Sequence, residues 1–395
     1  MATRCVNGVQ ELSMLNELTK DHTPVMKKRV VILQEHLPHY RLKFYDCLRE
    51  ELSIRGVELQ LIYSPATSLA AVPGRLDWAK EIVCKRLGKL VWQPVWRDFN
   101  GADLIIVHQE NKYLINYLLM LKSRWGSAKL AYWGHGRNFQ SSNPNGISER
   151  VKRFFSRHAD WWFAYNDLSK RVVSNLGFPA ERITSVGNSI DTKLLTQLRD
   201  SVTESQIQSV RNELGIEPEN VAVYTGRFIE MKRIRFLVEA CHEIRRRVPD
   251  FNMVWIGSGP LEDFVNEQSS AHSWIHFVGV KDDKEKVPYW MISKLLLMPG
   301  AVGLAVLDSF ALGVPMVTTD IADHGPEIDY LKDGENGVIV RPSDSVVDYA
   351  IAVTELLKDT ISYNRMRSKA LAEAEHYSAE TMALNFAEGV ESALS

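Results

Sequence analysis

Apolar and polar segments alternate most regularly in one stretch of the second half of the chain. The apolar run Leu295–Met298 ends at Pro299-Gly300, and a helical pattern begins at Gly303. A second apolar run, Val314–Thr319, leads into the polar segment Asp320–Glu327. Short, continuous apolar runs are typical of buried parallel strands. The order predicts that the glycine turn and the polar segment lie at the carboxyl ends of neighbouring strands, where open α/β sheets bind ligands.

The same alternation recurs along both halves of the chain. In the first half, apolar runs predict strands at 30–33, 57–63, 103–107, 129–133, 161–165 and 182–186. In the second half, they predict strands at 222–225, 252–256 and 275–278, separated by helices near 235–246, 261–267 and 286–292. Strands that alternate with helices build parallel sheets covered by helices. The expected fold class is therefore α/β, with two Rossmann-like, doubly wound domains facing each other across a central cleft.

The length of the chain, 395 residues, exceeds what one ordinary hydrophobic core supports, and we expect two domains. A polar, helix-prone stretch at 201–212 separates the two sets of strands. Residues 1–25 carry mixed charge without the apolar core of a signal peptide. The predicted division is a leader at 1–25, a first domain at 26–200, a second domain at 201–375 and a terminal helix at 376–395.

Composition and charge narrow the class of protein. Apolar residues at 45% and charged residues at 24% are those of globular proteins, and a formal net charge of −2 gives no reason to expect a nucleic-acid partner. No window reaches the roughly 18–20 apolar residues of a membrane-spanning helix. The 4 cysteines form no CxxC pair, which argues against zinc sites and disulfides and fits a reducing cytoplasm.

Two cations follow the first strand of the second half. Gly226 and Arg227 come directly after the strand at 222–225, and Lys232 lies shortly beyond them. Because Arg can bond two phosphate oxygens at once and Lys supplies a compact charge, the pair suits a diphosphate at the edge of a sheet. Two cations on a solvated loop give the same pattern. The sequence leaves both explanations open.

The helix that begins at Gly303 offers a second anion site. A residue without a side chain lets a phosphate approach the free backbone N–H groups, and the helix dipole favours negative charge there. Asp308 on this helix suits ribose hydroxyls, although a helix-surface acid gives the same pattern. Glu327 on the next loop suits a sugar hydroxyl. The turn Gly257–Pro260 lacks a GxGxxG continuation, so no nicotinamide or flavin cofactor is expected.

Polar side chains also follow the strands of the first half. His108 and Glu110 follow the strand at 103–107, and His135 lies between two glycines after the next strand. Small neighbours leave an imidazole open to a ligand, but a structural histidine in a glycine turn is an equal alternative. The sequence contains no His/Cys/Asp cluster with metal spacing and no Ser/His/Asp nucleophile arrangement. No metal is therefore expected.

A set of motifs in the second half resembles one family of enzymes. The motifs are Gly226-Arg227 with Lys232, Ile256–Pro260, Phe277–Gly279, Gly313–Val317, Pro326-Glu327 and Asp333–Gly337. Their order and spacing resemble the retaining nucleotide-sugar glycosyltransferases of family 4, also called glycosyl transferases group 1, over nearly all of residues 222–340. The first half is similar more loosely, through the loop His36–Arg41 and the turn at His135.

The resemblance implies a GT-B fold, in which the second domain holds the donor, the first holds the acceptor and a C-terminal helix crosses back to the first domain. It implies transfer from a nucleoside-diphosphate sugar, UDP- or GDP-linked, with retention at the anomeric carbon and without a metal or other cofactor. Arg227 and Lys232 would stabilise the departing diphosphate, and His135 would contact the transferred sugar. These three are the predicted catalytic residues.

Two further sets of site residues are predicted. The donor-binding set is Gly226, Gly300, Ala301, Val302, Gly303, Leu304, Asp308 and Glu327. The acceptor-side or sugar-contact set is His36, Arg41, His108, Glu110, Arg137, Asn138 and His324.

The chain departs from the family pattern at one position. The family's paired acids stand eight positions apart, and those positions hold Gly300 and Asp308. The second acid is present in shortened form, and the first is absent. The candidates to replace it are the backbone N–H groups of Gly300 and Ala301, and the side chains of His324 and Glu327.

The expected function is transfer of a hexose-type sugar to a saccharide or a lipid-linked saccharide, in the synthesis of a bacterial surface polysaccharide such as O-antigen or capsule. The expected location is the cytoplasm, with peripheral contact to the inner membrane. Two other functions stay open, a non-catalytic nucleotide-sugar binding protein, suggested by Gly300, and a nucleotide-sugar epimerase on the same fold.

A membrane-facing surface is predicted from one basic and aromatic segment. The cations Arg150, Lys152, Arg153 and Arg157 alternate there with Phe154, Phe155, Trp161 and Trp162. Cations combined with interfacial aromatic side chains suit an anionic lipid surface. The alternative, which is favoured because residues 161–165 follow the pattern of a strand, is that the aromatic side chains pack inside the first domain and only the cations are exposed.

Overall fold

The computed structural model describes residues 27–65, 74–123, 128–136, 157–217 and 220–395. The predicted leader at 1–25 lies outside these ranges. Each strand predicted from an apolar run overlaps an observed strand, and the α/β class with two domains is confirmed.

Parallel strands form the sheet of the first domain. The strands of this domain are β1 (Lys28–His36), β2 (Val57–Ser64), β3 (Lys80–Glu81), β4 (Lys85–Leu87), β5 (Leu90–Trp92), β6 (Leu104–His108), β7 (Lys129–Gly134), β8 (Trp161–Ala164) and β9 (Ile183–Ser185). Seven of them form one sheet in the order β3-β2-β1-β6-β7-β8-β9. Strands β4 and β5 form a separate antiparallel hairpin, which the sequence analysis did not predict.

A second parallel sheet forms the core of the second domain. Its strands are β10 (Val221–Thr225), β11 (Asn252–Ile256), β12 (Ile275–Phe277), β13 (Leu295–Leu297), β14 (Met316–Thr319) and β15 (Gly337–Val340). They lie in the order β12-β11-β10-β13-β14-β15.

Helices cover the sheets and connect the strands. Those of the first half are α1 (Leu42–Ile54), α2 (Leu114–Ser123) and α3 (Asp167–Asn175). Those that follow are α4 (Thr192–Ser201), α5 (Glu204–Leu214), α6 (Ile234–Arg247), α7 (Glu262–Ala271), α8 (Asp283–Met291), α9 (Ala305–Leu312), α10 (Val346–Lys358), α11 (Thr360–His376) and α12 (Ala379–Leu394). None of the helices within the described ranges is both long enough and apolar enough to span a bilayer.

The environment of strand β1 explains why the central strands are continuous apolar runs in the sequence. It pairs with β2 on one side and with β6 on the other, so Val31 lies between Gln60 and Ile105. Successive side chains point to opposite faces of a sheet, and both faces of this sheet are covered. Val30 enters the core that contains α1 and α12, whereas Val31 enters the core that contains α2.

The chain passes into the second domain earlier than the predicted boundary at residue 200. Helix α4 begins at Thr192, and its Leu195 is buried in the core of the second domain. The stretch predicted as a linker at 201–212 forms α5, whose first turn is closed by a capping box between Thr203 and Gln206. The change of domain therefore occurs near Asn188.

The last helix, α12, returns to the first domain. Met382 and Phe386 are fully buried in the same core as Phe44 of α1. The ring of Phe386 stacks on Phe163 of β8 at a centroid distance of 4.1 Å. The chain thus crosses between the domains near Asn188 and again before α12.

Candidate functional site

Each sheet has a point at which the order of its strands reverses. In the first sheet this point lies between β1 and β6, and in the second sheet between β10 and β13. Loops at the carboxyl ends of strands diverge at such points and leave a crevice. His36, His108 and Glu110, at the ends of β1 and β6, lie at the first crevice, and the predicted site residues after β10, β13 and β14 belong to the second.

A tight main-chain contact joins the loops after β10 and β13. The Nζ of Lys232 donates a short hydrogen bond to the carbonyl of Ala301, and the N–H of Ala301 donates to the carbonyl of Met231 at 2.9 Å. A Cβ built on Gly300 would lie 2.3 Å from the carbonyl carbon of Lys232. Only glycine fits at 300, so the absence of the family's first acid follows from this approach.

His324 holds the same turn from the other side. Its Nδ1 accepts a hydrogen bond from the N–H of Val302 at 3.0 Å, and its Nε2–H donates to the carbonyl of Thr319 at 2.7 Å. Burial lowers the pKa of His324, consistent with a neutral ring. Since both ring nitrogens are bound to main chain, His324 supports the turn, and the predicted sugar contact has no free ring nitrogen in this arrangement.

Lys232 is a cation in a largely desolvated position. Burial lowers its pKa to about 8, and the negative charge of Glu327 opposes that shift. Burial makes the charged form of a lysine less favourable, and a nearby anion stabilises that charged form. The position therefore suits a ligand that brings negative charge to the turn at 300–303.

Asp308 forms a buried ion pair with a residue that the sequence analysis did not select. The Nζ of Lys286 on α8 lies 2.6 Å from Oδ1 of Asp308 and 2.7 Å from Oδ1 of Asp283. Burial alone would lower the pKa of Lys286, but the charges of Asp308 and Asp283 raise it. Asp308 was predicted to meet ribose hydroxyls, and the pair with Lys286 fixes the direction of its carboxylate.

Arg227 is exposed on the loop after β10. Within the described part of the chain, no residue forms an ion pair or a side-chain hydrogen bond with its guanidinium. The loop itself is rigidly supported, because a Cβ on Gly257 would lie 1.9 Å from the carbonyl oxygen of Gly226. The N–H of Phe228 also donates to the carbonyl of Ser258 at 2.8 Å. The Gly257–Pro260 turn thus serves as a brace for the Arg227 loop.

A buried polar chain joins the second domain to the first. The Nδ2 of Asn188 donates to Oε1 of Glu327 at 2.6 Å, and Arg41 donates a short hydrogen bond to Oδ1 of Asn188. Arg41 also donates to the carbonyl of Ser189 at 3.1 Å. Burial raises the pKa of Glu327, which the hydrogen bond from Asn188 and the charges of Arg41 and Lys232 oppose. Glu327 therefore lies within electrostatic reach of both domains.

The N-terminal end of α3 adds two further contacts between the domains. The Nδ2 of Asn166 donates to the carbonyl of Pro326 at 2.5 Å. Arg171 forms an ion pair with Asp329 at 2.6 Å, although the arginine side chain is 57% exposed. Both partners in the second domain belong to the 3-10 turn Pro326–Tyr330, which also carries Glu327.

A cavity of about 230 Å³ lies at the reversal point of the first sheet. Four of the predicted acceptor-side residues, His36, Arg41, His108 and Glu110, line it. The predicted residues Arg137 and Asn138 lie outside the described ranges. The structure thus brings two distant segments, 36–41 and 108–110, together around one cavity.

Glu35 organises one side of this cavity. Its carboxylate lies 2.7 Å from Arg86, 2.6 Å from the Nζ of Lys112 and 2.7 Å from the hydroxyl of Tyr113. Burial would raise the pKa of Glu35, but the hydrogen bonds from Lys112 and Tyr113 lower it. Lys112 also pairs with Glu110 at 2.9 Å. The cavity therefore presents two carboxylates, of Glu35 and Glu110, that are both paired with Lys112.

Neutral rings line the rest of the cavity. Burial lowers the pKa of His108 to about 4, so this imidazole is neutral at physiological pH. Its ring lies 5.3 Å from that of Trp133. The ring of His135 contacts Tyr165, another lining residue, at 4.1 Å. A pocket of aromatic faces, a neutral imidazole and carboxylates suits a ligand with many hydroxyl groups.

The predicted membrane-facing segment lies mostly outside the described ranges, which exclude residues 137–156. Its two described tryptophans pack inward, as the alternative expected. Trp162 is fully buried, and Nε1 of Trp161 donates to Oγ1 of Thr184 at 2.9 Å.

Among the residues that the structure describes, no group of three or more His, Cys, Asp or Glu side chains is arranged to hold a metal ion.

Three residues with contacts at the site were not predicted from the sequence: Lys286, Asn188 and Glu35. In the sequence, Asp283 and Lys286 have the spacing of an ordinary ion pair on one face of a helix. Nothing in the sequence connects them to Asp308. Glu35 follows the strand predicted at 30–33 but lies near the end of the observed β1, and its two cations, Arg86 and Lys112, come from distant segments.

Comparison with known proteins adds independent information. Residues 206–372 match the family model described as Glycosyl transferases group 1. An alpha-D-kanosaminyltransferase of Streptomyces kanamyceticus is 24% identical over 265 residues, which are 63% of this chain and 67% of that protein. An alpha-monoglucosyldiacylglycerol synthase of Acholeplasma laidlawii is 26% identical over 166 residues, 40% of each protein.

A solved structure extends the likeness to both domains. The crystal structure of Anabaena Alr3699/HepE in complex with UDP superimposes with a TM-score of 0.69 at 17% identity, and the match covers 92% of this chain and 100% of that chain. At this identity the likeness establishes the fold. The match at residues 206–372 relates the second domain to the glycosyl transferases group 1, and the two domains form the GT-B fold.

Proposed function

We propose that the protein transfers a hexose-type sugar from a nucleoside-diphosphate sugar to a saccharide or lipid-linked saccharide, with retention at the anomeric carbon. One observation carries the proposal. Lys232 and the turn at 300–303 form the donor-side wall, and Glu327 joins that wall through Asn188 to Arg41 in the first-domain cavity. In this proposal the donor site and the acceptor site face each other across the junction of the domains.

On the donor side, Lys232 and Arg227 would stabilise the diphosphate as its bond to the sugar breaks. The lowered pKa of Lys232 supports this role, because a desolvated cation interacts strongly with developing negative charge. The exposed guanidinium of Arg227 has no ion-pair partner among the described residues that would compete with a ligand. The backbone of the turn at Gly303 would bind a phosphate, and Asp308 would bind the ribose.

On the acceptor side, sugar hydroxyls would donate hydrogen bonds to Glu110 and to the cavity's carbonyl groups, and sugar rings would pack on its aromatic faces. His135 would contact the transferred sugar through its position beside Tyr165. An acceptor with a lipid part is supported by the relative that is named an alpha-monoglucosyldiacylglycerol synthase. Synthesis of O-antigen or capsule in the cytoplasm, at the inner membrane, is the pathway we infer.

For the donor nucleotide, the complexes of Anabaena HepE with UDP and with UDP-glucose favour a uridine nucleotide. GDP-linked sugars are the second class to test. No metal is required in the proposed mechanism, because Lys232 and Arg227 supply the positive charge that a metal would otherwise bring to the diphosphate.

The test is a donor screen followed by product analysis. UDP- and GDP-sugars are added to the purified protein, and the donor that raises the melting temperature is incubated with soluble and lipid-linked saccharides. We expect a glycoside with the anomeric configuration of the donor, measured by NMR. Binding of nucleotide without turnover would identify a non-catalytic binding protein, and conversion of the donor sugar without acceptor would identify an epimerase. Either result overturns the proposal.

A further inference from the structure

The hairpin of β4 and β5 has two different faces. Leu87 pairs directly with Leu90, and Arg86 pairs with Val91. Directly opposite residues share a face of the ribbon, so the two leucines lie on one face and Arg86 with Val91 on the other. Val91 is 1% exposed, whereas Leu87 is 74% and Leu90 38% exposed. One face is packed on the domain, and the other, the outer face, is an apolar surface in contact with solvent.

Further exposed apolar and basic residues lie close to the hairpin in the chain. Val83 and Trp96, which flank the hairpin in the chain, are 75% and 42% exposed. Lys85 and Lys89 are exposed, and within the described ranges neither forms an ion pair. Exposed large apolar side chains gathered in one short segment mark an interaction surface.

We propose that the outer face of the hairpin docks on an anionic lipid surface and so brings a lipid-linked acceptor to the first-domain cavity. The inference rests on the proposed function, because it takes the cavity as the acceptor site. Transfer of leucine side chains from water into the acyl boundary of a membrane is favourable in free energy. Each lysine near anionic headgroups adds a favourable electrostatic contribution. The surface thus combines the two chemistries that a peripheral membrane contact needs.

Charge argues for lipid rather than a second copy of the chain. A two-fold dimer through this face would bring the same patch against itself. Lys85 and Lys89 of one copy would then approach the same lysines of the other copy, with like charges at short range. An anionic membrane instead complements both lysines.

The inner face of the hairpin connects this surface to the cavity. Arg86 lies 2.7 Å from Oε1 of Glu35, which lines the cavity together with Lys112. The N–H of Val91 donates to the carbonyl of Lys112 at 2.8 Å. A lipid surface on one side of the hairpin would therefore be separated from the acceptor site by a single two-stranded ribbon.

Vesicle sedimentation tests the proposal. The full chain is mixed with phosphatidylcholine vesicles that contain or lack phosphatidylglycerol, at low and at high salt. We expect binding to the anionic vesicles at low salt, weakened at high salt because screening acts on exposed charges. The double variants Leu87→Asp/Leu90→Asp and Lys85→Glu/Lys89→Glu are each expected to bind at least tenfold more weakly. Ile361→Asp, at an 84% exposed position of α11, is the matched control and is expected to bind like the wild type.

Transfer to a water-soluble saccharide, measured without vesicles, separates this inference from the proposed function. The hairpin variants are expected to keep that activity and to lose transfer to a lipid-linked acceptor in vesicles. Absent binding of the wild type to anionic vesicles overturns the inference, as does unchanged binding of both variants. A wild-type dimer that Leu87→Asp/Leu90→Asp dissociates also overturns it, since the face would then join two copies. Vesicle binding without any transfer contradicts the proposed function and leaves the docking surface in place.

Discussion

The α-carbon of Gly300 lies directly against the main chain of Lys232. A Cβ at position 300 would stand 2.3 Å from the carbonyl carbon, 2.4 Å from the Cα and 2.5 Å from the carbonyl oxygen of Lys232. Side-chain carbons do not approach main chain so closely, so a larger residue at 300 must displace Lys232. In this protein, the place of the family's first acid is thus occupied by the backbone of the residue that carries the buried cation.

Substitutions at Gly300 and Gly303 should therefore have different effects, the first on stability and turnover and the second on donor affinity. Gly300→Ala is expected to lower the free energy of unfolding by about 1–3 kcal/mol and to reduce turnover, because Lys232 has to move. Gly303→Ala meets no atom within 4 Å, so its stability should stay within about 0.5 kcal/mol of the wild type. Its donor affinity should nevertheless fall if a phosphate approaches the backbone there. Urea unfolding and donor-binding calorimetry measure the two effects, and equal stability of Gly300→Ala and wild type would contradict the first.

The ion pair of Lys286 and Asp308 should contribute to the free energy of unfolding because both partners are buried. Lys286→Met leaves Asp308 without its counterion, and we expect the free energy of unfolding to fall by about 3–5 kcal/mol. The control pair is Lys28 and Asp103, at 3.0 Å but with side chains 57% and 32% exposed. Lys28→Met should cost less than about 1 kcal/mol. Urea unfolding compares the two, and a loss for Lys286→Met no larger than that of the control would show that the buried pair is dispensable.

Activity should depend on pH through Lys232. Its pKa of about 8 lies below the ordinary value of 10.5. If the cation stabilises the departing diphosphate, kcat/KM should fall as pH rises through about 8, because the free enzyme then loses the charge. Lys232→Arg, which stays protonated, should lack this fall, whatever its absolute rate. A wild-type profile that is flat between pH 7 and 9 would rule out the assigned role.

The free energy of unfolding should rise with pH because of Lys232, whereas the activity should fall. Between pH 8 and 10.5 the unfolded chain holds a proton on Lys232 that the folded chain has released. The free energy of unfolding therefore gains a contribution that rises with pH across this window. The difference between wild type and Lys232→Met, measured by urea unfolding across the window, isolates that contribution. The free energy of unfolding of the wild type minus that of Lys232→Met is expected to rise with pH across the window, and a value that falls would contradict the lowered pKa.

The hydrogen bond between Asn188 and Glu327 should couple the two domains. Asn188→Ala, Glu327→Ala and the double variant form a cycle, for which we expect a coupling energy of about 1.5–3 kcal/mol, since a buried carboxylate accepts the bond. The same cycle for Arg171 and Asp329, an equally short but exposed contact, should give less than about 1 kcal/mol. Unfolding free energies supply both values. Equal coupling in the two cycles would show that burial does not set the strength of the contact.

Much of the donor side could be predicted from the sequence, because its residues follow strands that the apolar pattern identifies. Gly226, Lys232, Gly300 and Glu327 all follow the carboxyl end of a predicted strand on the loop that comes after it, and parallel strands bring such loops to one edge. The hairpin of β4 and β5 was missed, although the two-residue turn Gly88-Lys89 is a hairpin signal. Its strands are too short to show a period of their own.

What the sequence determined by itself was the order of elements, the buried strands and the glycines and cations at their ends, because these depend on local pattern and chain connectivity. Only the tertiary structure decided which distant groups meet. Lys286 reaches Asp308, Asn188 reaches Glu327, and the main chain of Lys232 occupies the space beside Gly300. Those contacts depend on packing between elements that are not neighbours in the chain, which the hydrophobic pattern does not encode.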